Sequence, residues 1–418
     1  MSHRIVSILI LMSLSMCVFA EEEPRTGKSG FGRTGQFGGP NSVTAQLEED
    51  DEIKKTVFRL PWFDAALQPW FDFKGGVNER NGLQLGAAYT ALFQGASDSP
   101  VGAEDEAASG IIRVFGKWTL LGRDTQNSGK LVFSADNRHR LGTAIAPAGL
   151  GFEVGYFGIP GTLFSDVDSV LVDLNWQQTL NNGQSGIVAG RFDPNDFMDV
   201  LGYANPWTTF QNLTILFNPS IALHDASMGA ALGHYFNDQW FGLATVDDAN
   251  GTVSDIGFFE DGSEFYKQAE IGWTPSKDQR YFRNVHVTGW HTDDRENADV
   301  EESWGFTAAA NWTSDDKTWM PFVRAGWSDG SSPLMNASAT IGLIHFVAER
   351  SDLVGLAANW GEPSDNSLRD QYTGELFYRV QLAQNLAVTP SAQLLIDPAL
   401  NTEDDEIWIG SVRARLTL

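Results

Sequence analysis

Nine charged side chains recur at even spacings within apolar segments, which is the spacing of residues on one face of a β-strand. Arginine and lysine donate hydrogen bonds and carboxylates accept them, so a surface that combines them can hold a hydroxyl-rich ligand. The nine residues are Arg113, Lys117, Asp136, Arg138, Arg140, Glu375, Arg379, Arg413 and Arg415. The alternative is that these groups form salt bridges with one another and stiffen the wall to which they belong. The sequence leaves both interpretations open.

Other clusters point less clearly to a site. GRFDPNDFMD, residues 190–199, offers carboxylates to a cation, but their spacing fits no calcium loop and favours an Asx turn. His286 and His291 have an odd separation, so on a strand they point to opposite faces and cannot share a metal. No catalytic triad or phosphate loop stands out, although two carboxylates facing each other across a cavity could hydrolyse a glycoside. We predict no metal and no cofactor.

Strands with two unlike faces must position the charged side chains. In DQYTGELFYRVQL, residues 370–382, one row is apolar and the row between is polar, and it carries Glu375 and Arg379. From Gly82 onward, sixteen segments can be marked as strands, separated by clusters of Gly, Asn, Asp, Ser or Pro. The even number suits a closed antiparallel barrel, whose last strand lies beside the first. Closure would gather the arginines into one basic stripe, with Phe115 able to stack on a ligand.

Tryptophans favour a membrane barrel over a soluble sandwich. In EESWGFTAAANW, Trp304 and Trp312 end the apolar row, about 26 Å apart along a strand at 3.3 Å per residue. Tilted strands would make this the height of a lipid-facing band between two aromatic girdles. Other tryptophans on apolar rows repeat the pattern: Trp118, Trp176, Trp273, Trp327, Trp360 and Trp408. The last strand also presents its apolar row outward and ends on Leu418.

The beginning of the chain predicts export. Residues 1–20 combine a basic start, an apolar run and a small-x-small site at Val18-Phe19-Ala20, as a cleaved signal peptide does. A lipoprotein signal is disfavoured, because Met16 precedes Cys17 where a small residue is expected. Cys17 is the single cysteine, so removal of the signal peptide excludes disulfides. With 28 Lys and Arg against 54 Asp and Glu, the net charge of −26 disfavours nucleic acid as a partner.

The remaining chain divides into a leader and a barrel. Residues 21–59 are acidic and rich in glycine, which predicts a flexible leader with a short helix within AQLEEDDEIKK. Residues 60–418 form the predicted barrel domain. Its first part, residues 60–82, mixes aromatic residues at helical spacing with prolines and predicts one or two short amphipathic helices packed against the barrel. The fold class is therefore all-β, a sixteen-stranded antiparallel transmembrane barrel with a short N-terminal helical segment.

The chain resembles the carbohydrate-selective porin family of Gram-negative outer membranes. The resemblance lies in GLQLGAAYTALFQ, GKLVFSADNRHR and VAGRFDPNDFMD, and above all in GLAANWGEPSDNSLRDQYTGELFYRVQL and TPSAQLLIDPALNTEDDEIWIGSVRARLTL. It covers most of the chain after about Leu83, while the leader does not match the family's usual opening. The resemblance implies a sixteen-stranded outer-membrane barrel that passes sugars.

The resemblance leads to one expectation and leaves two alternatives. We expect an outer-membrane porin for passive diffusion of mono- or oligosaccharides, whose nine charged residues line the channel. The first alternative is a general porin for ions and small solutes, and the more distant one is a secreted carbohydrate-active β-protein. Expected partners are sugars as permeating solutes and outer-membrane lipid and lipopolysaccharide, with a homotrimer as one oligomeric state and without nucleic acid.

Processing of the signal peptide gives the first prediction. The mature protein should begin at Glu21 and migrate faster on unheated than on heated SDS gels, because a closed barrel resists unfolding by detergent. Mass spectrometry of the purified protein checks the first residue. A protein that retains residues 1–20 or remains in the soluble periplasmic fraction would contradict the prediction.

Overall fold

The computed structural model describes residues 37–123, 125–223, 225–253, 256, 264–295, 300–347 and 349–418. The predicted signal peptide, residues 1–20, and residues 21–36 of the predicted leader lie outside these described residues. Among the described residues, no helix is both long and apolar enough to cross a membrane.

The described part of the chain forms sixteen antiparallel strands that close into one barrel, in which β1 pairs with β16. The strands are β1 Leu83–Ala96, β2 Glu106–Leu121, β3 Gly129–Arg140, β4 Asp168–Leu180, β5 Ser185–Phe192, β6 Ser227–Tyr235, β7 Trp240–Asp248, β8 Phe265–Trp273, β9 Arg283–Thr292, β10 Ser303–Trp312, β11 Trp319–Asp329, β12 Met335–Val347, β13 Asp352–Pro363, β14 Gln371–Ala383, β15 Leu386–Ile396 and β16 Glu406–Thr417. The predicted fold class and strand number are confirmed.

Among the described residues, four α-helices accompany the strands: α1 Val43–Asp50, α2 Pro61–Asn81, α3 Leu150–Glu153 and α4 Leu213–Leu216. Helix α2 begins at Pro61, which suits the first turn of a helix, and ends where Gly82 adopts the left-handed conformation with φ 71°. The sequence predicted one or two helices packed against the barrel, and the structure has a single helix. The packing expectation was wrong, because most side chains of α2 are exposed and Lys74 is the buried one among them.

The connections between strands orient the barrel. At one end they are short, such as residues 384–385 between β14 and β15, whereas residues 141–167 and 193–226 form long loops at the other end. Outer-membrane barrels have short periplasmic turns and longer extracellular loops. The start of β1, the end of β16 and α2 therefore lie at the periplasmic end.

The outward rows form the predicted apolar belt. In β10, Trp304, Phe306 and Trp312 are exposed on the same face, while Ser303 and Thr307 are buried on the other. Tryptophans meet at both edges of this belt, since Trp304 packs edge-on against Trp327 and Trp312 stacks with Trp273. Aromatic girdles of this kind flank the lipid-facing surface of membrane barrels.

One side of the barrel interior is filled by a loop rather than by water. Inward residues of β11 and β14, including Phe322 and Phe377, pack with residues 201–216 in an apolar cluster. The Phe322 ring lies 4.0 Å from that of Tyr203, and the Phe377 ring lies 4.9 Å from that of Phe210. Burial of each such side chain contributes about 1.5–3 kcal/mol. Residues 201–216 of this loop are thus packed into the barrel interior.

The lipid face gives the second prediction. Ala308 lies midway between Trp304 and Trp312 on the exposed row of β10. We expect Ala308→Arg to lower the free energy of unfolding in lipid vesicles by about 2–4 kcal/mol, because it places a charge at the bilayer midplane. Ala308→Leu, the control, should leave it nearly unchanged. Equal stability of the two variants in urea titrations would mean that this row does not face lipid.

Candidate channel-lining site

Barrel closure gathers the predicted site residues into one sector of the wall. Strands β14, β15, β16, β1, β2 and β3 are consecutive neighbours, as the sequence predicted. Eight of the nine residues point inward and are buried or half-buried. Arg140 differs, because its side chain is half exposed and binds the loop residues Asp166 and Ala144.

The first group of this sector is a cluster of charges on β2, β3 and β4. Arg113 lies 3.5 Å from the Asp136 carboxylate and 3.8 Å from that of Asp173. Arg138 donates to the other Asp136 oxygen, Oδ2, from Nε at 3.2 Å and from Nη2 at 2.9 Å. Ser134 donates to Asp173 at 2.6 Å. All these side chains are buried, so the cluster satisfies its own charges.

Trp207, from the loop of residues 193–226, covers the arginines of the stripe. The Arg113 guanidinium lies 5.1 Å from the Trp207 ring centroid and that of Arg415 lies 5.6 Å from it. The indole Nε1 donates to Asn41 Oδ1 at 2.9 Å. Cation–π contacts of this kind are strengthened by the absence of water around the cation. Sequence reasoning missed Trp207 because it does not lie on a strand.

Glu375 and Arg413 hold the same loop through its backbone. Glu375 accepts hydrogen bonds from the backbone N–H groups of Gln211 at 2.7 Å and Asn212 at 2.9 Å. Arg413 donates to the carbonyl oxygens of Pro206 and Thr209, both at 2.6 Å. Hydrogen bonds to charged groups contribute about 1.5–3 kcal/mol each. Both residues therefore anchor the loop in the lumen.

The remaining three residues pair with α1, which lies inside the barrel. Lys117 lies 3.6 Å from Glu48, Arg379 lies 3.1 Å from Glu49, and Arg415 lies 3.3 Å from Asp50. The described part of the predicted leader, residues 37–59, is therefore not a free segment, although its division from the barrel at residue 59 stays a prediction. The expected helix within AQLEEDDEIKK is present, shifted toward the N-terminus.

Phe115 does not offer a stacking surface for a ligand. It is fully buried, and it packs beneath α1 with Val43, Leu47, Ala88 and Val132. The expectation that this ring stacks on a sugar was wrong, because an inward aromatic residue is available only where nothing else of the chain covers it.

A second buried network lies on the opposite wall. The Asp199 carboxylate accepts from Thr307 at 2.9 Å, lies 3.3 Å from His286 and lies 3.5 Å from Arg324. Burial alone would raise the pKa of the Asp199 carboxyl, but Arg324 and the hydrogen bonds from His286 and Thr307 together lower it. This network fixes the start of the long loop. The sequence could have indicated this network, because Arg324 and His286 lie on the inward rows of their strands.

The metal expectations concern Asp193 and the two histidines. Asp193 Oδ1 accepts from the backbone N–H and the side-chain amide of Asn195, both at 2.9 Å, which confirms the Asx turn. His286 is buried, while His291 is partly exposed and pairs with Glu302, so the predicted opposite orientation is confirmed. Within the described ranges, no three His, Cys, Asp or Glu side chains are grouped to hold a metal ion.

The lumen also contains free space beside α1. A cavity of about 440 Å³ lies between α1 and strands β2 to β7. Polar groups in its lining include Lys117, Lys130, Gln177 and Thr245, and Lys130 also donates to Thr44 at 3.2 Å. Ammonium, amide and hydroxyl groups offer both donors and acceptors to a hydroxyl-rich solute.

Comparison with known families indicates the function of this barrel. Residues 268–418 match the family described as carbohydrate-selective porin, OprB family. Over these residues, the chain is similar to the carbohydrate-selective porin family. The matched residues include β8 from Gln268 onward and the whole of β9 to β16, with Glu375, Arg379, Arg413 and Arg415. An outer-membrane carbohydrate porin is the function that this match and the closed barrel support.

One solved structure supports the fold, and two others are less similar. The chain is similar to the high-pH structure of Pseudomonas putida OprB, with a TM-score of 0.65 and 14% identity over 84% of this chain and 97% of that chain. The low-pH structure of that protein gives a TM-score of 0.49 at 13% identity, covering 84% and 96% of the two chains. A mutant of Rh. blastica porin gives 0.47 at 13% identity, covering 80% and 100%. No curated protein matches the sequence.

The loop anchor gives the third prediction. Glu375→Ala leaves two buried N–H groups without acceptors, so we expect the free energy of unfolding to fall by about 2 kcal/mol or more. The loop of residues 193–226 should also become sensitive to protease. Glu375→Gln keeps one acceptor and should have an intermediate effect, while Glu362→Ala on the exposed row of β13 should have little. Similar proteolysis of all three variants would contradict the anchoring role.

Proposed function

We propose that this porin lets carbohydrates diffuse passively through its lumen, with no chemical step and no cofactor. The observation that carries the proposal is a cavity of about 440 Å³, lined in part by polar groups, inside a barrel whose residues 268–418 match the carbohydrate-selective porin family. A sugar leaving water must exchange its hydrogen bonds at little net cost. Lys117, Lys130 and Gln177 supply such partners along one wall.

Sugar contact by the nine predicted charged residues stays part of this proposal. In the structure each of them binds the chain's own strands, loops or α1. A sugar hydroxyl would have to replace a carboxylate or carbonyl oxygen at one of these arginines. Lys117 is the member of the set that both borders the cavity and pairs with a partly exposed carboxylate, that of Glu48, so we expect contact there first.

A general porin for ions and small solutes is the second candidate, and one observation favours it. The arginines at the centre of the stripe are buried and paired, so they do not present free donors to a sugar. In that case the wall charges would only set the ion preference of the channel. Sugar block of the ion current separates the two candidates.

We also propose that the protein is not an enzyme. A hydrolytic pair would need one carboxylate free to act as a base or nucleophile. Asp136 and Asp173 come together on neighbouring strands, but Arg113 lies between them and Ser134 binds Asp173. This pairing supports a structural role for both carboxylates.

Location and partners complete the proposal. The chain would reach the outer membrane through cleavage after residue 20, and its apolar belt would contact phospholipid on the periplasmic side and lipopolysaccharide on the other. The exposed tryptophans of β10 and β11 support such a lipid contact. A homotrimer is part of the proposal, and cross-linking in native membranes would count the barrels.

The fourth prediction concerns the cavity. We expect the double variant Lys130→Ala/Gln177→Ala to weaken sugar block of the ion current by about tenfold, the equivalent of one lost hydrogen bond of about 1.4 kcal/mol. The measurement is a titration of planar-bilayer conductance with mono- and oligosaccharides. Lys267→Ala, the control, removes a positive charge from an exposed position of β8 and should leave the block unchanged.

Two results would count against the carbohydrate assignment of the cavity. One is wild-type conductance that no sugar reduces. The other is a shifted ion reversal potential in the double variant with unchanged sugar affinity, which is the behaviour of a general porin.

A further inference from the structure

Residues 37–51 enter and leave the lumen at the same mouth. At one end, the Phe37 carbonyl oxygen accepts from Tyr281 at 2.5 Å and from Arg280 at 3.3 Å, within the short connection of residues 274–282. Beyond the other end, the Lys54 N–H donates to Gln384 in the β14–β15 turn at 3.0 Å. Both connections lie at the periplasmic end. The segment could therefore withdraw into the periplasm without passing through the barrel.

Ion pairs attach this segment to two parts of the wall. Glu48 reaches β2, while Glu49 and Asp50 reach β14 and β16. The three carboxylates are partly exposed, with side-chain exposures of 37%, 21% and 11%. Exposed or partly exposed ion pairs contribute little individually. These three pairs hold the acidic end of α1, and the arginine partners Arg379 and Arg415 are themselves buried.

The contrast with the loop of residues 193–226 is clear. That loop is held by an apolar cluster and by buried hydrogen bonds to Glu375, Arg324 and Arg413. The apolar contribution of α1 is small by comparison, since Val43 and Leu47 are its residues in the cluster with Phe115. Of these two interior segments, α1 has the smaller apolar contribution, and the residues before it are also held by the buried hydrogen bonds of Asn41 with Asp196 and Trp207.

The position of α1 also determines the free space. The leader supplies Phe37, Gly38, Ser42 and Thr44 to the lining of the cavity. Release of residues 37–51 would join the cavity to the space that α1 occupies between β2, β14 and β16. It would also expose Lys117, Arg379 and Arg415 to solutes.

From these contacts we propose that residues 37–51 form a tethered plug, whose acidic helix closes part of the lumen and whose release into the periplasm opens it. The inference rests on the channel function proposed above, but it does not depend on which solute passes. The carboxylates of α1 form ion pairs with Lys117, Arg379 and Arg415, which a solute would otherwise contact. The plug and solutes therefore compete for these three side chains.

The test combines loss of charge with a lock. The triple variant Glu48→Gln/Glu49→Gln/Asp50→Asn removes the three ion pairs, and we expect the population of the open state to rise about tenfold. Single-channel recordings in salt alone measure this population as the time spent in the higher-conductance state. The control Asp64→Asn/Asp72→Asn/Glu79→Gln removes the same charge from exposed residues of α2 and should leave the population unchanged.

The lock is a disulfide between the plug and the fixed loop. A Cβ built at Gly39 lies 3.2 Å from the Cβ of Val200, so Gly39→Cys/Val200→Cys needs a shift of a few tenths of an ångström to reach disulfide geometry. The natural chain contributes Cys17 alone, within the predicted signal peptide, so no competing thiol is expected. Oxidation in the triple-variant background should abolish the high-conductance state, and reduction should restore it.

Two outcomes would overturn the plug. One is a triple variant with the same open population as the wild type, provided that its unheated form migrates as a folded barrel. The other is a high-conductance state that persists in the oxidised, locked variant. Because no sugar is present, neither outcome bears on sugar block, and a failure of the carbohydrate proposal would leave this test valid.

Discussion

Closure of the sheet between β1 and β16 is the constraint on which the rest of the structure depends. In a bilayer each backbone N–H and C=O must find a partner within the protein, so a sheet with an open edge is not stable there. The pairing runs from Ala88 opposite Thr417 to Ala96 opposite Ile409. It brings the two ends of the chain together, and with them charged residues that are about three hundred positions apart in sequence.

Closure brings several buried arginines together, and the interior segments supply part of the groups that pair with them. Arginines of β2, β3, β14 and β16 line one sector, and a buried guanidinium is costly unless it is paired. Aspartates of β3 and β4 neutralise Arg113 and Arg138, loop carbonyl oxygens receive Arg413, and α1 neutralises Arg379 and Arg415. The lumen of this acidic protein is therefore basic at its wall and balanced by segments that come from outside the strands.

The strands could be predicted from sequence because their cause is local. Alternation of apolar and polar residues in segments such as 303–312 follows directly from the two unlike faces of a strand, and the tryptophan positions fix which face meets lipid. The stripe could also be predicted, since closure makes the last strands neighbours of the first. These inferences need no knowledge of side-chain partners.

The positions of α1 and of the loop of residues 193–226 could not be predicted, because they depend on contacts with residues that are distant in sequence. The acidic run at residues 48–52 has the composition of a solvated leader, and only the three-dimensional structure shows cations around it. The loop of residues 193–226 is rich in apolar residues but has no repeating period. The sequence therefore does not indicate that Tyr203 packs against Phe322 or that Phe210 packs against Phe377. The alternation of the strands placed most of the nine charged residues on inward rows. Their partners could not be identified from sequence, because they lie on other strands, on the long loop or on α1.

The shared mouth of residues 37–51 has a consequence for assembly. The leader precedes β1 in the chain, yet its resting place exists only after β14 and β16 have joined the sheet. A segment that had to thread the barrel would require closure around it. A hairpin-like segment whose described ends lie at the same mouth of the barrel does not need the barrel to close around it.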